Sequence, residues 1–185
     1  YMDVLERTLY NGVISGLSLD GRLFFYPNTL QHNGIARFNQ GVNGRSPWFN
    51  CSCCPSNLSR FIPSVAGYAY AQRGSDFYVN LFMNSALSVE LPGGELQLIQ
   101  RTAYPWEGQI ELEIRNEEAV EARLNIRIPG WARDEAVPSD LFHFADAQES
   151  ELVLMVNGKE QKAEIQKGFA VLTGKWEKGD RIILD

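Results

Sequence analysis

Apolar and polar positions alternate along most of the chain from Tyr68 onward. Ile110, Leu112 and Ile114 alternate with charged side chains, which gives one dry and one wet face. Such alternation, with Gly, Pro and Asn at the turns, predicts nine strands: Ala69–Gln72, Phe77–Phe82, Ala86–Leu91, Glu95–Thr102, Gln109–Asn116, Ala122–Ile128, Leu152–Val156, Phe169–Leu172 and Arg181–Leu184. We therefore predict a mainly β fold, with a β-sandwich over 68–185 and an acidic, aperiodic insertion at 134–150.

The first third of the chain follows a helical period instead. An amphipathic helix is predicted over 2–17, because apolar residues recur every four positions at Leu5, Leu9, Val13 and Leu17. A second helix is expected to begin near Pro55 and to kink or stop at Pro63. Between them we expect a short strand at Leu23–Tyr26 and a loop over 31–47. The first helix cannot form a domain by itself, so its partner helices are expected in a missing N-terminal region.

Composition narrows the range of functions that the chain can have. The net charge is −6, with acids and bases interspersed, which argues against a nucleic-acid partner because phosphate binding needs clustered Lys and Arg. The sequence has no apolar stretch long enough to cross a bilayer and no secretory signal pattern. Aromatic residues make up 11%, a share that suits a sugar site but more often builds a β core.

All three cysteines of the chain lie within four residues, at Cys51, Cys53 and Cys54. Thiolates bind zinc, attack electrophiles or exchange with disulfides, and the start of a helix stabilises them. The competing interpretation is a buried apolar cluster, since free cysteine packs well. Reduced thiols favour a cytoplasmic location, and a metal-protected periplasmic or secreted site stays open.

The C-x-C-C spacing does not complete a tetrahedral zinc shell, so further ligands must come from elsewhere. Within the chain the candidates are His32, in the long loop, and His143, in the acidic insertion. For both histidines a surface or locally bonded role is the more common outcome.

Three stretches resemble the zinc-dependent β-L-arabinofuranosidases of glycoside hydrolase family 127. The first is Asp3–Val13, followed by Ser18–Gly21 and Phe24–Tyr26. The second, and most specific, is Trp48-Phe49-Asn50-Cys51-Ser52-Cys53-Cys54-Pro55-Ser56-Asn57, leading to Gly67–Tyr70. The third is Ile126–Ala132, followed by Val156–Gly158 and Trp176–Asp180. Together they cover almost the whole chain in family order.

The resemblance implies an (α/α)6 barrel that carries the active site and is followed by β-sandwich domains. Residues 1–67 would then hold the last barrel helices and 68–185 a sandwich. It implies that Cys53 binds zinc and acts as the nucleophile, and that Cys54 is a second zinc ligand. Cys51 would lie near the site, and Tyr26 would contact the sugar substrate.

In the resembled family the acid/base glutamate and the remaining zinc ligands, from an E-x-C motif, lie upstream of this region. The chain contains no E-x-C, so we expect these groups in a missing N-terminal barrel region. We accordingly expect the chain alone to be inactive and to bind zinc weakly or not at all.

Three functions stay open at this point. The leading hypothesis is the C-terminal part of a zinc-dependent retaining glycoside hydrolase that acts on β-L-arabinofuranosides or related sugars. The alternative is a non-catalytic β-sandwich that serves as an accessory or carbohydrate-binding module. A structural zinc or redox protein is the third interpretation, which the cysteine cluster alone permits.

Overall fold

The computed structural model describes residues 1–27, 29–51, 53–146 and 152–185. These residues form two compact units, Tyr1–Ala66 and Gly67–Asp185. In the described part of the chain, every helix is too short or too polar to cross a membrane.

The first unit opens with a continuous helical segment that changes geometry twice. Helix α1 spans Met2–Arg7, a π-helical turn continues over Thr8–Val13, and a 3-10 turn over Ile14–Gly16 ends the segment. The predicted helix over 2–17 is therefore confirmed in extent but not in uniform α geometry. Two glycines in the segment fit this departure, since glycine weakens a regular α-helix.

Helix α2 spans Cys53–Ser64 and is followed by a 3-10 turn at Val65–Tyr68. Pro63 lies in the last turn of α2, and the α geometry ends one residue later. The predicted early stop at Pro63 is thus confirmed. Pro55 is buried in the first turn, where a missing N–H costs no helical hydrogen bond.

The loop between the helices is held by single backbone bridges rather than by a strand. Phe24 bridges to Leu17 on one side and to Ser46 on the other, so the predicted strand at Leu23–Tyr26 is wrong. The aromatic run has the composition of a strand, but isolated backbone bridges hold it in the loop.

The second unit contains two sheets. The five-stranded sheet has the order β1-β2-β6-β10-β9. Its strands are β1 Tyr70–Arg73, β2 Asp76–Val79, β6 Val120–Arg127, β9 Glu164–Gln166 and β10 Phe169–Trp176. β2 pairs with β6 in parallel, with Phe77 opposite Leu124, and the other pairs are antiparallel.

The six-stranded sheet is antiparallel throughout and has the order β3-β4-β5-β11-β7-β8. Its strands are β3 Ser85–Leu91, β4 Gly94–Thr102, β5 Ile110–Ile114, β7 Leu154–Val156, β8 Lys159–Glu160 and β11 Arg181–Leu184. Asn157 and Gly158 form the turn that joins β7 to β8, and both residues have positive φ.

One hydrophobic core is shared by the two sheets. Side chains with essentially no exposure come from both sheets, among them Phe77, Leu124 and Ile126 from the first and Leu98, Leu112 and Ile182 from the second. The mainly β class with two sheets is therefore confirmed.

The predicted insertion at 134–150 is only partly described. Residues 134–146 follow a 3-10 turn at Gly130–Arg133 and form turns and bends without helix or strand. Residues 147–150 lie outside the described residues.

Candidate active site

The cysteine cluster lies at the start of helix α2. Cys53 and Cys54 are the first two residues of the helix, and Cys51 precedes it. The Sγ atom of Cys53 is 3.6 Å from that of Cys51 and 3.8 Å from that of Cys54. Cys51 and Cys53 are exposed, and Cys54 is half-buried. The sequence-predicted thiols therefore converge on Cys53.

The phenol of Tyr26 adjoins the same cluster, although it is far away in sequence. Its hydroxyl oxygen is 3.2 Å from the Cys53 Sγ and 3.5 Å from the Cys51 Sγ. The structure thus brings Tyr26 together with all three cysteines, and the Tyr26 hydroxyl contacts two of the thiols. What Tyr26 does toward a sugar stays a prediction.

Tyr26 is positioned by Asn39, a residue that the sequence did not point to. Asn39 has no exposed surface, and its Oδ1 accepts a hydrogen bond of 2.6 Å from the Tyr26 N–H. Its Nδ2 donates to the carbonyls of Phe24 and Gly44, at 3.2 and 2.7 Å. One amide side chain therefore fixes three backbone groups of the loop. The aromatic ring of Tyr26 also meets the buried ring of Phe49 edge-on, at 5.7 Å between centroids.

Two polar side chains in the first turns of α2 hold the backbone of Cys53. Asn57 donates through Nδ2 to the Cys53 carbonyl at 2.8 Å, and the Ser56 hydroxyl donates to the same oxygen at 3.2 Å. The guanidinium of Arg60 donates in turn to the Asn57 Oδ1. The run Pro55-Ser56-Asn57 after the thiols was the only sequence signal for this arrangement.

The surroundings of Cys53 and Cys54 shift the pKa values of their thiols in opposite directions. The Tyr26 hydroxyl, followed by the thiols of Cys51 and Cys54, stabilises a Cys53 thiolate and lowers the pKa of Cys53. Burial, followed by the neighbouring Cys53 sulfur, raises the pKa of the Cys54 thiol. The same contacts with Cys53 and then Cys51 raise the pKa of the Tyr26 phenol, which therefore keeps its proton. Cys53 is the thiol that this site favours as an anion.

The spacing of the sulfur atoms fits a zinc ion. Two thiolates on one tetrahedral zinc, each about 2.3 Å from the metal, lie about 3.8 Å apart. The Sγ atoms of Cys53 and Cys54 have that separation. Among the described residues, no group of three His, Cys, Asp or Glu side chains is arranged to hold a metal. A zinc ion at these two thiols would need its other ligands from elsewhere.

The two histidines have other surroundings. The Nε2 of His32 lies 3.0 Å from the carbonyl oxygen of Ala36, and its Nδ1 accepts from the Gly34 N–H. Its ring packs edge-on against Phe38. His143 is exposed in the segment that follows the Gly130–Arg133 turn. Local bonding within the loop accounts for His32.

Two family models match the chain and together cover most of it. The catalytic domain of the family 127 β-L-arabinofuranosidases matches residues 1–67, and the middle domain of the same family matches residues 76–185. Both models describe glycoside hydrolases. The chain belongs to glycoside hydrolase family 127, the β-L-arabinofuranosidase family.

Individual relatives are considerably longer than this chain. A non-reducing end β-L-arabinofuranosidase from Bifidobacterium longum subsp. longum is 33% identical over 93% of this chain and 25% of its own length. A solved family 127 β-arabinofuranosidase superposes over the whole chain and 28% of its own length, at 44% identity and a TM-score of 0.90. This chain also superposes over its whole length on a β-L-arabinofuranosidase from Geobacillus stearothermophilus T6, with 36% identity and a TM-score of 0.83. The superposition covers 27% of the Geobacillus protein. The chain thus spans about a quarter of these relatives.

Proposed function

We propose that this chain is part of a retaining glycoside hydrolase that cleaves β-L-arabinofuranosides, with Cys53 as its nucleophile. The single observation that carries the proposal is the Cys53 thiol, 3.2 Å from the Tyr26 hydroxyl and with its pKa lowered by that contact. This thiol lies in the segment matched by the family's catalytic domain. The named activity of the relatives supplies the substrate class.

The chemistry follows from a sulfur nucleophile in a double displacement. In the first step the Cys53 thiolate attacks the anomeric carbon of the sugar, and the bond from that carbon to the leaving oxygen breaks. An acid from outside this chain protonates the leaving oxygen. The Tyr26 hydroxyl and the start of α2 both favour the anionic form of the sulfur before the attack, since the start of a helix favours negative charge.

In the second step water attacks the anomeric carbon, and the carbon–sulfur bond breaks. The sulfur leaves as a thiolate, so the contacts that lower the Cys53 pKa also make it a better leaving group. The group that was the acid in the first step takes the proton of the water. Two displacements at one carbon retain its configuration.

The proposal includes zinc as the cofactor. Cys53 and Cys54 would hold it, because their Sγ separation of 3.8 Å is that of two thiolates on one zinc. When bound, the metal would keep Cys53 deprotonated at neutral pH. The half-buried position of Cys54 leaves its sulfur less accessible to a sugar than that of the exposed Cys53, which suits a ligand rather than a free nucleophile.

The test uses the intact polypeptide that contains this chain and an aryl β-L-arabinofuranoside. Cys53→Ala should lower kcat/KM by at least about a thousandfold, as expected when a nucleophile is removed. Added azide should restore turnover of this variant and give a glycosyl azide of inverted configuration, because azide replaces the missing sulfur. Turnover near the parent rate in Cys53→Ala would refute the nucleophile assignment.

The same preparations test the metal. Elemental analysis should find zinc in the intact polypeptide and much less in Cys54→Ser. The matched control is Glu107→Gln, which alters an exposed residue of the second unit and should retain both activity and zinc. Equal zinc in Cys54→Ser and in the control would contradict the ligand assignment.

A further inference from the structure

Cys51 has no task in the proposed reaction, yet its sulfur lies beside the nucleophile. We propose that Cys51 is a resolving thiol, which captures Cys53 as an intramolecular disulfide after a hydroperoxide has oxidised Cys53. The inference goes beyond glycoside hydrolysis, because it needs neither a sugar nor a metal. It gives the cluster a reversible modification site.

The geometry brings the two sulfurs into reach of each other. Their Sγ atoms are 3.6 Å apart, and both side chains are exposed, so a small oxidant can approach them. The Tyr26 hydroxyl contacts both sulfurs, at 3.2 Å for Cys53 and 3.5 Å for Cys51. A modest rotation of the Cys51 side chain would close the gap to bonding distance.

Distance alone does not select Cys51 over Cys54, since the Cys53–Cys54 separation is only slightly longer, at 3.8 Å. The backbone does select it. Adjacent Cα atoms are about 3.8 Å apart, which is shorter than the roughly 4.4–6.8 Å that a disulfide usually spans. The Cα atoms of residues two positions apart can be separated by up to about 7 Å. The usual disulfide span is therefore accessible to Cys51 and Cys53.

Secondary structure favours the same pair. Cys53 and Cys54 both belong to helix α2, so a bond between them would distort helical backbone. Cys51 precedes the helix and can move without breaking any helical hydrogen bond of α2. The carbonyl of Cys53 is meanwhile held by Asn57, which keeps the oxidised residue in place.

The proposed reaction is balanced in two steps. The Cys53 thiolate attacks the hydroxyl-bearing peroxide oxygen, the S–O bond forms and the O–O bond breaks, and the other oxygen leaves with the electron pair of that bond as hydroxide or alkoxide. The sulfur thus loses two electrons to the peroxide and becomes a sulfenic acid. The Cys51 sulfur then attacks the Cys53 sulfur, the S–S bond forms, and the S–O bond breaks with release of water, which takes the proton of the Cys51 thiol. A dithiol reductant reduces the Cys51–Cys53 disulfide back to two thiols.

The test uses the intact polypeptide that contains this chain, freed of metal with a chelator and treated with one equivalent of hydrogen peroxide. Free thiols are then alkylated with N-ethylmaleimide, and the chain is digested with trypsin. Cleavage after Arg45 and Arg60 places all three cysteines in one peptide, Ser46–Arg60. We expect two of the three thiols to be lost, the remaining label to lie on Cys54, and dithiothreitol to restore all three.

Two serine variants form a matched pair for this test. Cys54→Ser should still form the disulfide and lose both of its thiols. Cys51→Ser should form none, and its Cys53 should be trapped as a sulfenic acid by dimedone. The proposal is overturned if Cys51→Ser still loses a thiol pair, if Cys54→Ser forms no disulfide, or if the unsubstituted chain yields only sulfinic acid or intermolecular dimers.

Discussion

At the scale of single residues, Tyr26 and Asn39 determine what Cys53 can do. The phenol supplies a hydrogen-bond donor to the sulfur, and the buried amide fixes the backbone that carries the phenol. The consequence is a thiol whose pKa depends on a residue from a distant loop. The substitution that separates this effect from packing is one that removes only the hydroxyl.

Tyr26→Phe should raise the pKa of Cys53, because the thiolate loses the phenol hydroxyl as a hydrogen-bond donor while the ring packing on Phe49 stays. Alkylation of Cys53 by iodoacetamide in the metal-free chain should therefore need a higher pH to reach half its maximal rate. The rate is measured on the Ser46–Arg60 peptide across a pH series.

Tyr78→Phe is the matched control, since it removes a phenol that donates to Asp76 in the second unit. Its alkylation profile should coincide with that of the unsubstituted chain. An unchanged profile in Tyr26→Phe would show that the phenol does not stabilise the thiolate.

At the scale of elements, two glycines of the second unit have opposite surroundings. A Cβ at Gly93 would lie 2.8 Å from the backbone oxygen of Glu121, closer than such atoms approach. A Cβ at Gly174, in the interior of β10, would meet nothing within 4 Å, and its φ is not in the left-handed region. The β3–β4 turn at Gly93 is therefore packed against β6, and β10 is open at Gly174.

Alanine at these positions should change stability in opposite directions. Gly93→Ala should lower the free energy of unfolding by about 1–3 kcal/mol, since backbone must shift. Gly174→Ala should raise it by about 0.5–1 kcal/mol, because the unfolded chain loses freedom. Urea unfolding of the two variants beside the unsubstituted chain measures both. The packing argument fails if both variants shift the midpoint in the same direction.

The strands also show how much of the secondary structure the sequence predicts. Alternation located β4, β5, β6 and β11 to within two residues of their bounds, because the apolar side chains of each strand recur at every second position and lie in the core. β9 was missed, since all three of its residues are exposed at the sheet edge. β10 runs four residues past its predicted end, across Thr173-Gly174-Lys175, where no alternation is visible.

The candidate site was predicted in part for a similar reason. Cysteine spacing and helix-start chemistry are local signals, so the thiols could be found from their own neighbourhood. Asn39 and Phe49 hold Tyr26 through contacts across an aperiodic loop, and no periodicity encodes such contacts. The family resemblance implied only that Tyr26 contacts the sugar, and the contact of its hydroxyl with Cys53 emerges from the folded loop.

At the scale of the whole molecule, the two units differ in how much apolar surface they bury. The shared core of the second unit runs from Phe77 to Leu184, whereas among the described residues of the first unit only Leu9 and Phe49 are buried large hydrophobic side chains. Because burial of apolar surface is the main driving force of folding, the second unit carries its own stability.

Residues 67–185 expressed alone should therefore unfold cooperatively, with a thermal midpoint close to that of the corresponding transition in the whole chain. Differential scanning calorimetry of both proteins checks this. Amides of the first unit should exchange with deuterium faster than those of β5 and β6 in the whole chain. A non-cooperative transition in residues 67–185 would mean that the core needs residues 1–66.

The parallel pairing of β2 with β6 has a consequence during synthesis. Phe77 leaves the ribosome well before Leu124, and the whole β3–β5 excursion must be translated in between. Until β6 emerges, the nascent β1–β2 hairpin has one side unsatisfied, and such a pairing between remote segments is slow to form. Synonymous codons that pause translation between Leu91 and Val120 would prolong that interval, which makes the soluble yield of this protein sensitive to translation speed there.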